Sequence, residues 1–396
     1  MLAQFILRGL SELSPRLAIK AAWLYGVKGM LAVRAYKKRL ARGEQYPPFI
    51  FVALTDACNL RCHGCWITRQ NGGRQLSRED LEGIISAGKK QQAHFFTLLG
   101  GEPFLHPDIC RVFEGHPECY FQIITNGMFF NAENVGRLRA AGNVTPLISL
   151  DGLQERNDER RGEGVFASVM EGMSKLQSAG LFFGVATTIT GANADEVLSD
   201  EYVKQLIAKG AMYLWYYIYR PMSATPHLEY CLSKEKLLAV RRRLLELRRK
   251  HPILIIDSYW TASGEAFCPA ALGLGYHVNP SGGIEICPAL SFAKETIRDN
   301  DGELFKTINE SKFLRGFSAF VKERTRGCVI LEQPQQLHEY IRASGAKDYS
   351  GRDAFAELNA LKPRHSHDLP GEEIPEDYWV YRFLKSQVFF GMSAMG

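Results

Sequence analysis

The chain has 396 residues, 46% of them hydrophobic, enough to bury a large core and to form two or three domains. Its net charge of +5 is uneven: residues 1–46 hold nine Lys and Arg against only Glu12 and Glu44, so the remainder is slightly acidic. That removes the electrostatic case for a nucleic-acid partner. The N-terminus is charged at Arg8, Glu12, Arg16 and Lys20 and has no clean apolar signal core, so the nine cysteines predict metal chemistry in a reducing, cytoplasmic setting rather than a disulfide framework. No uncharged apolar run reaches the ~18 residues that a spanning helix needs.

Residues 1–46 read as helix, because Leu2, Phe5, Ile6, Leu10, Leu13 and Leu17, then Trp23, Leu24, Val27 and Leu31 recur at helical spacing with bases between them. Pro15 starts a second helix there, and Pro47-Pro48 ends the segment. Apolar runs then alternate with helical patterns. The predicted strands are Phe49–Leu54, Phe95–Leu99, Tyr120–Ile124, Pro146–Leu150, Phe183–Ile189 and Met212–Tyr219; the predicted helices include 78–90, 131–141, 165–179 and 200–209. Ser77-Arg-Glu-Asp80 is a capping pattern that opens the first of these. Six such units predict an α/β fold with a parallel sheet and helices outside it.

Beyond residue 225 the pattern changes. A basic helix spans 234–250, with Arg241-Arg-Arg243 and Arg248-Arg-Lys250, and reads as a solvated face. A Gly- and Pro-rich region follows, and then a polar tail whose aromatic end, Tyr378–Gly396, is expected to dock back on the body.

The most informative segment is Thr55-Asp-Ala-Cys58-Asn-Leu-Arg-Cys62-His-Gly-Cys65-Trp66. Three thiolates from one short loop can hold three irons of a [4Fe–4S] cube and leave the fourth open, although a zinc site can also take three cysteines. With the apolar run before it, and Gly100-Gly101-Glu102-Pro103 ending the second strand, the segment resembles the radical S-adenosylmethionine (SAM) enzymes. The resemblance implies a partial (β/α)6 TIM-like barrel with its site at the C-terminal strand ends. It also implies that the open iron chelates SAM, that the Gly-Gly-Glu-Pro strand end contacts the SAM amino group, and that reductive cleavage of SAM yields a 5′-deoxyadenosyl radical that abstracts a substrate hydrogen atom. Thr125-Asn126-Gly127 fits the end of the third strand. Ser149-Leu-Asp-Gly152 with Arg161 resembles the pattern that binds the SAM carboxylate in SPASM-type members, and an arginine suits a carboxylate because it can donate two parallel hydrogen bonds. The family's aromatic residue before the third cysteine is Gly64 here, a departure shared with a few relatives, among them one type that acts on a lipid, and Trp66 stands one place later to compensate in part.

A second set, Cys268, Cys287 in Pro280-Ser-Gly282-Gly-Ile-Glu-Ile-Cys287-Pro, and Cys328, resembles the twitch or SPASM extension, a small α+β cluster domain. The resemblance implies one auxiliary [4Fe–4S] cluster, with the fourth ligand unidentified or open; Cys231 is a weak candidate, and buried thiols are the plainer reading. The count rules out a two-cluster SPASM domain. Tyr217, Tyr219 and Arg220 are candidates for the substrate pocket.

These expectations divide the chain into a basic amphipathic segment (1–46), a radical SAM core (47–225), a linker helix with the cluster domain (226–340) and a tail (341–396). The expected substrate is a membrane lipid or lipid-linked molecule, with a peptide or protein as the alternative; a non-catalytic Fe–S or zinc scaffold is the alternative of another class. A flavodoxin or ferredoxin is the expected reductant, and residues 1–46 are expected to reach an anionic membrane surface at the inner face or, alternatively, to cover the partial barrel.

Overall fold

A computed structural model describes residues 2–67, 73–223 and 225–388. Seven strands run parallel in chain order: β1 (Phe49–Ala53), β2 (Phe95–Leu99), β3 (Tyr120–Thr125), β4 (Val144–Ser149), β5 (Gly184–Ile189), β6 (Tyr213–Ile218) and β7 (Leu254–Ile256). The other edge of β1 pairs in parallel with β8 (His277–Val278), and β9 (Gly283–Cys287), β10 (Leu290–Thr296) and β11 (Lys347–Asp348) continue antiparallel. One eleven-stranded sheet therefore carries both the predicted core and the predicted extension.

Period-two alternation divides the strand side chains between two faces. Ile50 and Val52 of β1 join Phe96 and Leu98 of β2 in a core with Leu81, Ile84 and Ile85 of the helix Arg78–Lys90. Ser77 and Asp80 cap that helix reciprocally. Phe49, Phe95, Tyr120 and Tyr213, the first residues of β1, β2, β3 and β6, form a second cluster that closes the barrel floor.

The N-terminal helices cover that floor. Leu24 and Tyr36 pack among the four aromatic rings. The bases anchor the segment: Arg16 and Lys20 each donate 2.6 Å hydrogen bonds to the carbonyls of Ala140 and Ala141, where the helix Ala132–Ala141 ends and its carbonyls lack partners. Lys28 donates to Glu118 O at 2.8 Å and Arg8 to Pro252 O at 2.7 Å. The basic surplus thus serves docking, while Leu7, Leu10, Ile19 and Trp23 remain exposed on the outer face.

The basic helix departs from the expected solvated face. In Lys234–Lys250, Arg241 and Arg248 are each only 2% exposed. Arg248 pairs with buried Asp257 and with Glu376 at 2.6 Å, Lys385 reaches Asp257 at 3.2 Å, and Arg248 lies 3.7 Å over the Tyr381 ring. Asp257 lies nine residues beyond Arg248, but Glu376, Tyr381 and Lys385 come from a distant segment, which charge spacing on one helix cannot reveal. The same contacts dock the tail helix Trp379–Gln387, as expected; residues 389–396 of the predicted tail lie outside the described residues. The helix Gln154–Arg161 has no apolar stripe, so the hydrophobic pattern of the sequence does not announce it. Among the described residues no helix is long and apolar enough to cross a membrane.

Candidate functional site

The cysteine loop leaves β1 at the C-terminal end of the sheet and is held from three sides. Gly101 N donates to Thr55 O at 2.7 Å and Glu102 N to Ala57 O at 2.8 Å, so the end of β2 runs directly against the loop. The two glycines are required by this approach: a Cβ would stand 2.3 Å from Thr55 O at Gly100 and 2.1 Å from Ala57 O at Gly101. On the second side, Asn126 donates to Asn59 Oδ1 at 2.7 Å. On the third, His63 N donates to Arg160 O at 2.8 Å.

Glu102 is fully buried, and its carboxylate accepts from Asn126 N (2.8 Å), Thr125 Oγ1 (2.8 Å) and Phe104 N (3.1 Å). Burial pushes this carboxyl up to about 7, against the pull of those three donors. Its side chain ties β2 to the end of β3, and Pro103 opens the short turn Pro103–Leu105.

Ser149 ends β4. Two residues on, Asp151 is fully buried and organises the opposite wall. Arg161 Nε and Nη2 approach Asp151 Oδ2 at 2.7 and 2.6 Å, and Arg160 pairs with the same carboxylate. Asp151 Oδ1 also accepts from Thr188 N at 2.7 Å. Although burial favours the neutral acid, Arg160 and Arg161 hold this carboxyl below its usual range. One edge of the Arg161 fork is spent on Asp151, and the remaining Nη1 stands 4.0 Å from Cys62 Sγ. Sequence reasoning named Ser149 and Arg161 but assigned no role to Asp151 or Arg160; the Asp of Ser149-Leu-Asp-Gly152 and the doubled arginine were the available signals.

Burial raises the Cys58 and Cys65 thiols, with Cys62 adding to both. None of the nine cysteines forms a disulfide. Among the described residues no three His, Cys, Asp or Glu side chains are arranged to hold a single ion. A cube asks for something different, because each of its three thiolates binds its own iron.

Gly64 is buried at φ +66, and a Cβ there would come 2.8 Å from the Tyr219 hydroxyl. The room an aromatic residue would take at this position is therefore filled by Tyr219 from the end of β6. Trp66 does not fill it: its ring lies edge-on to His277, 5.7 Å between centroids, and Arg352 donates to its carbonyl at 3.0 Å. Tyr217 stacks on Trp215 with its hydroxyl buried and unpaired. Arg220 donates from Nε to Cys328 Sγ at 2.9 Å.

That contact leads to the second set of cysteines. Cys268 precedes the turn Pro269–Leu272, Cys287 ends β9, and Cys328 N donates to Ser366 Oγ at 3.1 Å. Burial pushes Cys268 up to about 11 and Cys287 up to about 12, with Cys328 adding to both. Cys231 is half-buried; burial raises its thiol against the pull of Arg364 and Arg220. Cys110 and Cys119 are core thiols.

Both donor sets are soft sulfur ligands of the kind clusters take: Cys58, Cys62 and Cys65 lie on one short loop, Cys268, Cys287 and Cys328 come from three separate segments, and an arginine approaches one sulfur of each set. Residues 52–200 match the radical SAM superfamily. The family implies a [4Fe–4S] cluster and SAM. The chain is 29% identical over 181 residues to the mycofactocin maturase MftC of Mycolicibacterium smegmatis, covering 44% of this chain and 45% of MftC. It is 29% identical over 167 residues to the AdoMet-dependent heme synthase of Methanosarcina barkeri, covering 40% and 48%. The match thus spans about half the length of these curated relatives. In fold, it resembles SuiB of Streptococcus suis, solved bound to the precursor peptide SuiA, with a TM-score of 0.60, 16% identity, and coverage of 75% of this chain and 72% of SuiB.

Proposed function

We propose that this protein is a radical SAM enzyme that modifies a peptide or protein. The observation that carries the chemistry is the Cys58–Cys65 loop with Arg161 Nη1 turned toward Cys62. Cys58, Cys62 and Cys65 would hold the cluster, and cluster and SAM together supply, when bound, one electron and an organic radical. The chain's own residues hold and orient. The ends of β2 and β3, at Gly100, Gly101, Glu102, Pro103 and Asn126, shape one wall, and Ser149 and Arg161 form the other. Arg161, fixed by Asp151, presents a single free edge to a carboxylate. Cys268, Cys287 and Cys328 would hold one auxiliary cluster. A flavodoxin or ferredoxin would supply the electron.

For the substrate, MftC is a maturase and SuiB was solved with a precursor peptide, which supports a peptide over a lipid. Anaerobically reconstituted protein with dithionite and SAM should form 5′-deoxyadenosine, and the triple variant Cys58→Ala, Cys62→Ala, Cys65→Ala should not. Supplying peptide, tetrapyrrole and lipid fractions from deuterated cells identifies the substrate class, because the substrate transfers deuterium to 5′-deoxyadenosine. Transfer only from the lipid or the tetrapyrrole fraction would reject a peptide.

A membrane-surface location has one observation in its favour: the outward Leu7, Leu10, Ile19 and Trp23 of the floor helices.

A further inference from the structure

Cys268, Cys287 and Cys328 supply three donors where a cube has four irons, and a histidine is tied to the backbone next to two of them. His367 is only 2% exposed. Its Nε2 lies 3.1 Å from Phe267 O, the carbonyl immediately before Cys268, and since a carbonyl only accepts, Nε2 carries the proton. Nδ1 is therefore a bare lone pair, buried and without a hydrogen-bond partner. An unmet buried acceptor costs about 1–3 kcal/mol.

His367 is tied into the backbone next to two of the three cysteines. Its ring is tied to the residue before Cys268, and the preceding residue, Ser366, accepts from Cys328 N at 3.1 Å. Trp260 Nε1 donates to His367 O at 3.0 Å, and the Tyr259 and Trp260 rings pack against the imidazole with centroids 5.0 and 5.9 Å away. These contacts fix the ring and its tautomer. A metal-ligating histidine commonly donates its other N–H to a carbonyl or carboxylate, and imidazole is an established partner of cysteine at iron–sulfur centres.

We infer that His367, through Nδ1, is the fourth ligand of the auxiliary cluster. The inference rests on the proposed Cys268–Cys287–Cys328 cluster. Cys231, half-buried, is the competing donor.

The test uses the full chain carrying Cys58→Ala, Cys62→Ala and Cys65→Ala, reconstituted anaerobically with iron and sulfide so that only the auxiliary site fills. About four irons per chain are expected. Pulsed EPR of the reduced protein should show a directly bound nitrogen whose coupling changes on 15N-histidine labelling. His367→Ala should abolish that signal, and His367→Cys should abolish it while keeping about four irons, which separates ligation from folding. A filled cluster with no histidine coupling, or a coupling that survives His367→Cys, overturns the assignment. So does a cluster disturbed by Cys231→Ser but not by His367→Ala. An iron-free protein overturns the auxiliary cluster itself, and this ligand with it.

Discussion

Arg161 spends one edge of its guanidinium on the buried carboxylate of Asp151, 2.7 Å from Nε and 2.6 Å from Nη2, and turns Nη1 toward Cys62 Sγ at 4.0 Å. An arginine predicted to clamp a ligand with its full fork is thus already half engaged. What it offers is one aimed, charge-assisted donor beside the cysteine loop.

Replacing Arg161 with Lys should weaken SAM binding roughly tenfold or more, since one charge-assisted hydrogen bond contributes about 1.5–3 kcal/mol. Asp151→Asn should act twice. It leaves Arg160 and Arg161 without their buried counter-charge, costing about 3–5 kcal/mol of stability, and it frees the Arg161 side chain so that SAM affinity falls as well. Calorimetry with SAM and denaturant unfolding measure the two effects separately. Unchanged SAM affinity in both variants would remove Arg161 from the binding site.

Glu102 predicts a pH dependence in the metal-free protein. Its folded pKa near 7 lies above the ordinary carboxylate value, so the folded state holds a proton that the unfolded chain has released. The stabilising contribution is complete below about pH 4.5 and is lost as pH rises to about 7. About 3 kcal/mol should disappear over that window. Unfolding curves of wild type and Glu102→Gln at pH 5 and pH 7.5 should differ in slope with pH, the variant being the flatter.

Gly64 and Tyr219 are sterically coupled. Gly64→Ala should destabilise by about 1–3 kcal/mol, because φ +66 disfavours a side chain and the new Cβ meets the tyrosine ring. In a Tyr219→Ala background the same change should cost about 1 kcal/mol less. A double-mutant cycle with no coupling energy would show that the ring simply moves aside.

Asp257 neutralises Arg248 and Lys385 where helix and tail meet. Asp257→Asn should cost about 3–5 kcal/mol. It should also release the helix Trp379–Gln387, which limited proteolysis would detect as early cleavage after residue 377.

The floor helices make truncation a poor test of membrane binding, since deleting residues 1–43 uncovers Phe49, Phe95, Tyr120 and Tyr213. Leu7→Gln, Leu10→Gln and Trp23→Gln together alter only the outward face. If that face meets lipid, flotation with anionic vesicles should fall several-fold for this variant, with stability unchanged. Equal flotation would leave these helices a purely structural cover.

The sequence alone determined the alternation of strands and helices, the cysteine loop and the glycine pair, because each is a local pattern with a local cause. The strands keep period two, the helices are capped by Ser77 and its like, and Gly100 and Gly101 are the residues that a close backbone approach demands. Tertiary structure alone decided which charges are spent and on what. Arg161 is half consumed by a residue ten positions away, Arg220 is engaged by Cys328, and Arg241 and Arg248 meet Ile374 and Glu376 of a tail more than a hundred residues later. The same holds for Tyr219 filling the space at Gly64 and for the unpaired nitrogen of His367. A side chain's partners, and so its charge state and its freedom to bind, are set by packing between segments far apart in the chain, where spacing carries no signal.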